Sequence, residues 1–154
     1  MEYLLTIHHF IFRKELSHMH CIFCNDILEQ HILVETNHFK VVFDIDPIQH
    51  GHVLIISKEH LMDLRELSTK QHMELVQLEK AIITIFDEYF SIPGATVIQN
   101  NGTIMDEGTH FHVHVVPRYE DDHFWDNQSV KEHWLSLDIL KAQLASLKIH
   151  KERS

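Results

Sequence analysis

The chain has 154 residues, with 13 Lys and Arg against 23 Asp and Glu, for a formal net charge of −10 with His neutral. That length points to one domain able to bury about 70% of its unfolded surface, and a content of 44% hydrophobic and 23% charged residues excludes global disorder. The acidic balance argues against nucleic-acid or anionic-membrane binding, which needs a basic surface, and no apolar run reaches the ~18 residues of a membrane span.

Tyr3 to Phe12 comes closest to such a run, but Thr6, His8 and His9 interrupt it. It lacks the cationic start and small-residue cleavage site of a signal peptide. The expected location is cytoplasmic. Two cysteines, Cys21 and Cys24, exclude a disulfide scaffold. The 16 histidines are dispersed, and most are expected on the solvated surface. Their number makes net charge sensitive to pH below about 6.5.

Residues 1–18 differ from the rest of the chain, and Met19 opens a segment that reads as a self-contained start. They are expected either as an extension to a domain over residues 19–154 or as an ordinary N-terminal helix or strand. Ile32-Leu33-Val34 and Phe39 to Phe43 read as strands joined by Thr36-Asn37-His38, a hairpin-like gap. Val53 to Ile56 is a third strand, apolar enough to be buried on both faces. Ser68 and Gln71 have capping-box spacing at the start of a long helix. Leu75, Leu78, Ile82, Ile85 and Tyr89 form one apolar face of it, and Val76, Ile83, Phe86 and Phe90 a second stripe. So wide an arc needs two covering surfaces, a sheet and a partner subunit, so a homodimer is expected. Pro93-Gly94 stops this helix. Strands at Ala95 to Ile98 and Phe111 to Val116 come next, then weaker helical patterns over Ser129 to Trp134 and Ile139 to Leu147, a C-terminal helical tail. The order predicts an α+β fold: an antiparallel sheet of about five strands, one long helix and smaller C-terminal helices.

The chemistry concentrates in His110-Phe111-His112-Val113-His114-Val115-Val116-Pro117-Arg118. Strict alternation sends His110, His112 and His114 to one face of a strand, and Phe111, Val113 and Val115 to the other. Twice the strand rise puts the imidazoles about 7 Å apart, too far for direct bonds unless the side chains lean together. Three aligned rings each need a hydrogen-bond partner. A solvated edge strand and a metalloenzyme using these histidines as ligands are the alternatives on pattern alone. Cys21-x-x-Cys24 reads as either a redox pair or half a zinc site, and the βαβ context of a thioredoxin-like site is missing.

Together these residues resemble the histidine triad (HIT) family. Besides the triad, Cys21-Ile22-Phe23-Cys24 is similar to the family's opening. Phe43 to Pro47, Gly51 to Ile55 and Ser57 to His60 resemble its central segments, Asn100-Asn101-Gly102 the loop before the triad, and Pro117-Arg118 its ending. The resemblance covers Cys21 to Arg118. It implies a nucleotide hydrolase or transferase acting at an α-phosphate through a nucleotidyl-histidine intermediate, on nucleoside phosphoramidates or dinucleoside polyphosphates. His112 would be the nucleophile, with His114 and His52 orienting it. Asp44 would accept from the ribose, Ile22, Phe23, Phe43 and Ile45 would enclose a purine base or simply pack as core, and Asn100 would lie near the phosphate. The resemblance also implies a structural Zn²⁺ on Cys21, Cys24, His60 and His110, with His20 a rival third ligand.

One stretch departs from the family. Where it commonly has Gly-Gln, a Ser or Thr and an apolar residue before the triad, this chain has Met105-Asp106-Glu107-Gly108-Thr109, one residue short if Asn100 is the anchor. Two acids beside an anionic substrate put the substrate preference in question. They keep open a nucleotide-binding regulatory module with weak activity, beside a metal-dependent hydrolase.

Overall fold

The computed structural model describes residues 20–147, so the expected extension over residues 1–18 lies outside the described residues. The chain divides into two compact units, one running to Asp122 and one starting at His123.

In the first unit, five strands form one antiparallel sheet: β1 (Ile32–Glu35), β2 (Phe39–Phe43), β3 (Val53–Ser57), β4 (Gly94–Gln99) and β5 (His112–Arg118), in the spatial order β1-β2-β3-β5-β4. β5, last in sequence, inserts between β3 and β4, with Leu54 opposite His114 and Ile56 opposite His112. β3 is flanked on both sides and buried along its whole length, which is why its sequence is apolar without alternation. Phe111, expected in the last strand, precedes it. Its N–H donates to the Leu61 carbonyl at 2.6 Å and its own carbonyl accepts from the Ser57 N–H at 3.1 Å.

A one-turn helix, α1 (Ile22–Asn25), lies near the start, and the long helix α2 spans Thr69–Phe90. Both halves of the capping box form: the Gln71 N–H donates to Ser68 Oγ at 3.3 Å, and the Ser68 N–H to Gln71 Oε1 at 2.7 Å. The buried stripe of α2 differs from the expected one. Leu75 and Phe86 are buried, Leu78 and Ile82 pack against the core, and Ile85 and Tyr89 are exposed. Leu75 to Phe86 is eleven residues, close to three full turns at 3.6 residues per turn, whereas Ile85 falls about 80° off that line. α2 ends at Ser91, in the left-handed region at φ 53°, before Pro93.

The two sheet faces divide the labour. Phe39, Val41, Val53, Ile55, Phe111, Val113 and Val115 make the main core with Leu75 and Phe86 of α2. On the opposite face Val42, Leu54 and Ile56 pack with Cys21 and Phe23, and Lys40 Nζ donates to the Phe23 carbonyl at 2.7 Å, tying α1 to β2. The histidines lie on this second face.

In the second unit the expected helix over Ser129 to Trp134 is not formed. The helix there is α3 (Leu137–Ala145), started by the Ile139 N–H donating to Ser136 Oγ at 3.4 Å. Val130 and Trp134 are exposed, so no buried face offsets the low helix propensity of a β-branched and an aromatic residue.

Candidate active site and metal centre

Gly51, at φ 87°, turns the chain into β3, and a Cβ there would stand 3.5 Å from the Pro117 ring. That turn delivers His52, 1% exposed, to the edge of the histidine cluster. The side chains do lean together. His112 and His114 have ring centroids 4.8 Å apart, and their Nε2 atoms are 3.1 Å apart. His114 Nδ1 lies 3.0 Å from His52 Nε2.

The partners assign the protons. The Ile48 N–H, 3.2 Å from His52 Nδ1, can only donate, so His52 carries its proton on Nε2 and offers it to His114 Nδ1. His114 is then protonated on Nε2, facing His112 Nε2. His112 Nδ1 donates to the His110 carbonyl at 2.7 Å, which leaves its Nε2 as the lone pair that accepts from the His114 Nε2–H. Burial, then the neighbouring His112 and His52 rings, lower the His114 pKa to about 4, against partial compensation from Asp44 and Asp106. His52 is also lowered by burial, opposed by Asp44. Asp44 Oδ2 sits 3.4 Å from His52 Nε2 and 3.5 Å from His114 Nδ1. This trio has cation-site spacing, but a metal on His52 Nε2 would displace the proton that the Ile48 bond holds there. The trio is a hydrogen-bonded chain behind His112.

His112 and His114 line a cavity of about 650 Å³, together with Ile22, Phe23, Phe43, Asp44 and Ile45. Phe23 meets His112 edge-on at a centroid distance of 5.0 Å. Asn100 is half-buried after β4 and does not line this cavity; its neighbour Asn101 is the one engaged, accepting from the Leu64 N–H at 2.8 Å. Sequence reasoning missed Asp26, Ile27, Gln30, His31, Leu33, Val42 and Leu54 in the wall. Val42 and Leu54 pair directly across β2 and β3, a register that the folded sheet sets. Asp106 and Thr109 of the unusual loop also line the cavity.

On the same sheet face, just before the triad strand begins, Cys21, Cys24, His60 and His110 bring one donor atom each within 4.8 Å of one another. Cys21 Sγ is 3.2 Å and Cys24 Sγ 3.5 Å from His110 Nδ1, and Cys24 Sγ is 3.3 Å from His60 Nδ1. Tetrahedral zinc with ordinary Zn–S and Zn–N lengths would set S···N separations of about 3.6 Å. His110 Nε2 donates to the Ser57 carbonyl at 2.6 Å, so Nδ1 presents a lone pair to the thiols, held by the outer hydrogen bond that metal-binding histidines characteristically make. Burial lowers the His110 pKa to about 4 and raises that of Cys24, further raised by Cys21 and opposed by Lys40. The donor set fits zinc. His20, the rival ligand, instead bonds Asp26 at 2.7 Å.

The HIT domain model matches residues 26–121. The adenylylsulfatase HINT3 of Arabidopsis thaliana is 29% identical over 130 residues, 82% of this chain and 66% of that protein. The adenosine 5'-monophosphoramidase hnt1 of Schizosaccharomyces pombe is 33% identical over 111 residues, 68% of this chain and 79% of that protein. Among solved structures, a zinc-bound histidine triad family protein from Mycobacterium smegmatis superposes with a TM-score of 0.57 at 28% identity, covering 66% of this chain and 77% of that one.

Proposed function

Because the chain belongs to the histidine triad family, we propose that it is a nucleotide hydrolase or transferase that acts at an α-phosphate through a nucleotidyl-histidine intermediate. The observation that carries this reading is the His112 ring: Nδ1–H is committed to a carbonyl and Nε2 is a lone pair on the cavity wall. In the first step Nε2 attacks phosphorus and the bond to the leaving group breaks, its electron pair departing with that group. Water then attacks the phosphoryl-histidine and frees the ring. The His114 Nε2–H must release His112 for attack, and a phosphoryl oxygen is the acceptor that would draw it off. His52 holds His114 in the required tautomer.

Ile22, Phe23, Phe43 and Ile45 would hold the base and Asp44 the ribose hydroxyls; their places on the cavity wall support this. Nucleoside phosphoramidates and dinucleoside polyphosphates are the candidate substrates, and relatives named as a phosphoramidase and an adenylylsulfatase support adenylyl compounds. Asn100 would lie near the phosphate on the family resemblance alone, since it is not among the residues lining the cavity. Cys21, Cys24, His60 and His110 would hold a zinc ion that supplies a structural cross-link, since four protein ligands leave no open position for substrate. No helix among the described residues is long and apolar enough to cross a membrane.

The test is acid-quench mass spectrometry with adenosine 5'-phosphoramidate. A nucleotidyl adduct should map to His112, and His112→Ala should lower turnover by roughly 10⁴-fold. An adduct elsewhere, or near wild-type turnover by His112→Ala, refutes the mechanism. Binding of AMP without turnover by the wild-type chain would favour the regulatory module.

A further inference from the structure

Three carboxylates line the nucleotide cavity, and no lysine or arginine lines it among the described residues. Two of the three are committed. Asp26 is bonded by His20, and Asp44 faces His52 and His114. The third, Asp106, is exposed, and its loop is held through its main chain: the Asp106 carbonyl accepts from the Thr109 N–H at 3.1 Å and the Thr109 hydroxyl at 2.7 Å. No hydrogen bond or ion pair engages the carboxylate among the described residues, Asp106 lines the cavity, and its charge is felt at His114. Past Asp106 the surface opens into an adjoining groove of about 930 Å³ that shares Asp106 and Thr109 with the cavity and adds Glu66 and Glu107. The guanidinium in that groove, Arg65, is occupied by Asp63 through bonds of 2.7 and 2.5 Å. A leaving group departing on this side therefore meets negative charge that no free Lys or Arg among the described residues lining it offsets.

We propose that Asp106 sets leaving-group choice, favouring nucleoside phosphoramidates whose departing amine bears a positively charged tail over leaving groups that carry negative charge, polyphosphate among them. This rests on the nucleotidyl-histidine reading above. In the step concerned, the substrate's amide nitrogen takes a proton from solvent, His112 Nε2 forms the new P–N bond, and the old P–N bond breaks. Its electron pair stays on the departing nitrogen, which leaves as neutral amine and takes its next proton from solvent. The Asp106 carboxylate stabilises the N-protonated form and any cationic tail beyond it. A polyphosphate leaving group would gain charge against the same carboxylate.

The experiment compares three AMP phosphoramidates with the same P–N chemistry, made from ethylenediamine, ethylamine and glycine, whose tails carry positive, no and negative charge. Wild-type kcat/KM should fall in that order, by up to about fivefold per unit of charge at low salt, the scale of one exposed ion pair, and the spread should shrink in 1 M salt. Asp106→Asn should flatten the order and Asp106→Lys should reverse it. Equal kcat/KM for all three, or an order unchanged in Asp106→Asn, overturns the inference while leaving the mechanism standing. If the wild-type chain turns over none of them, the mechanism fails; the ranking is then read as Kd by calorimetry, and equal affinities overturn the role of Asp106 as well.

Discussion

Acid should destabilise this protein through His114, by an amount the structure sets. Burial between His112 and His52 holds its folded pKa at about 4, against an unfolded value of about 6.5. Above pH 6.5 the ring is neutral in both states and carries no penalty. As pH falls from 6.5 towards 4 the unfolded chain takes up a proton that the folded chain resists, so stability is lost through that window. Linkage puts the loss at roughly 2 kcal/mol between pH 7 and pH 5, and on the order of 3 kcal/mol by pH 4. The assay is urea denaturation at pH 7 and pH 5, on wild type and on His114→Gln. The variant keeps a hydrogen-bonding side chain but cannot titrate, so its stability should fall by about 2 kcal/mol less over that interval. Equal pH slopes in the two proteins would show that His114 is not held neutral by the fold, and the relay deduced from its neutral tautomer would fall with it.

Two further outcomes rest on the same structure. Gently purified protein should contain close to one zinc per chain, and Cys21→Ser should lower Tm more than it changes the rate of the chemical step; less than a few tenths of a zinc per chain rules the site out. Val76, Ile83, Tyr89 and Phe90 on α2 remain exposed, and covering them by a two-fold partner predicts a homodimer. Sedimentation should give twice 18.3 kDa at micromolar concentration, with Ile83→Glu driving it to monomer; a wild-type monomer defeats the proposal.

Local pattern carried much of this molecule. The capping box at Ser68 and Gln71, the five strands and the two-faced strand around His112 were legible because each depends on spacing over a few residues. The buried stripe of α2 was read less well. Many apolar residues share that helix, and only the sheet beneath it chooses Phe86 over Ile85. The helix anticipated over Ser129 to Trp134 failed for a related reason: weak periodicity has no force without a surface to bury against.

What the sequence by itself determined was chemical inventory: an acidic chain, three histidines on one strand face, and a Cys-x-x-Cys pair with histidines to complete it. Tertiary structure decided what each group is for. His110 and His112 are two residues apart on the same face, yet one aims Nδ1 at two thiols and the other presents an Nε2 lone pair to His114 on the wall of a cavity. The difference comes from which carbonyl each ring bonds, Ser57 for His110 and His110 itself for His112. Asp106 shows the same dependence. Its charge was plain from the sequence, but its place on the cavity wall, uncommitted while Asp26 and Asp44 are engaged, exists only once the loop before β5 has folded against the sheet. Ring tautomers and the company a carboxylate keeps are set by neighbours distant in sequence, and no local pattern encodes them.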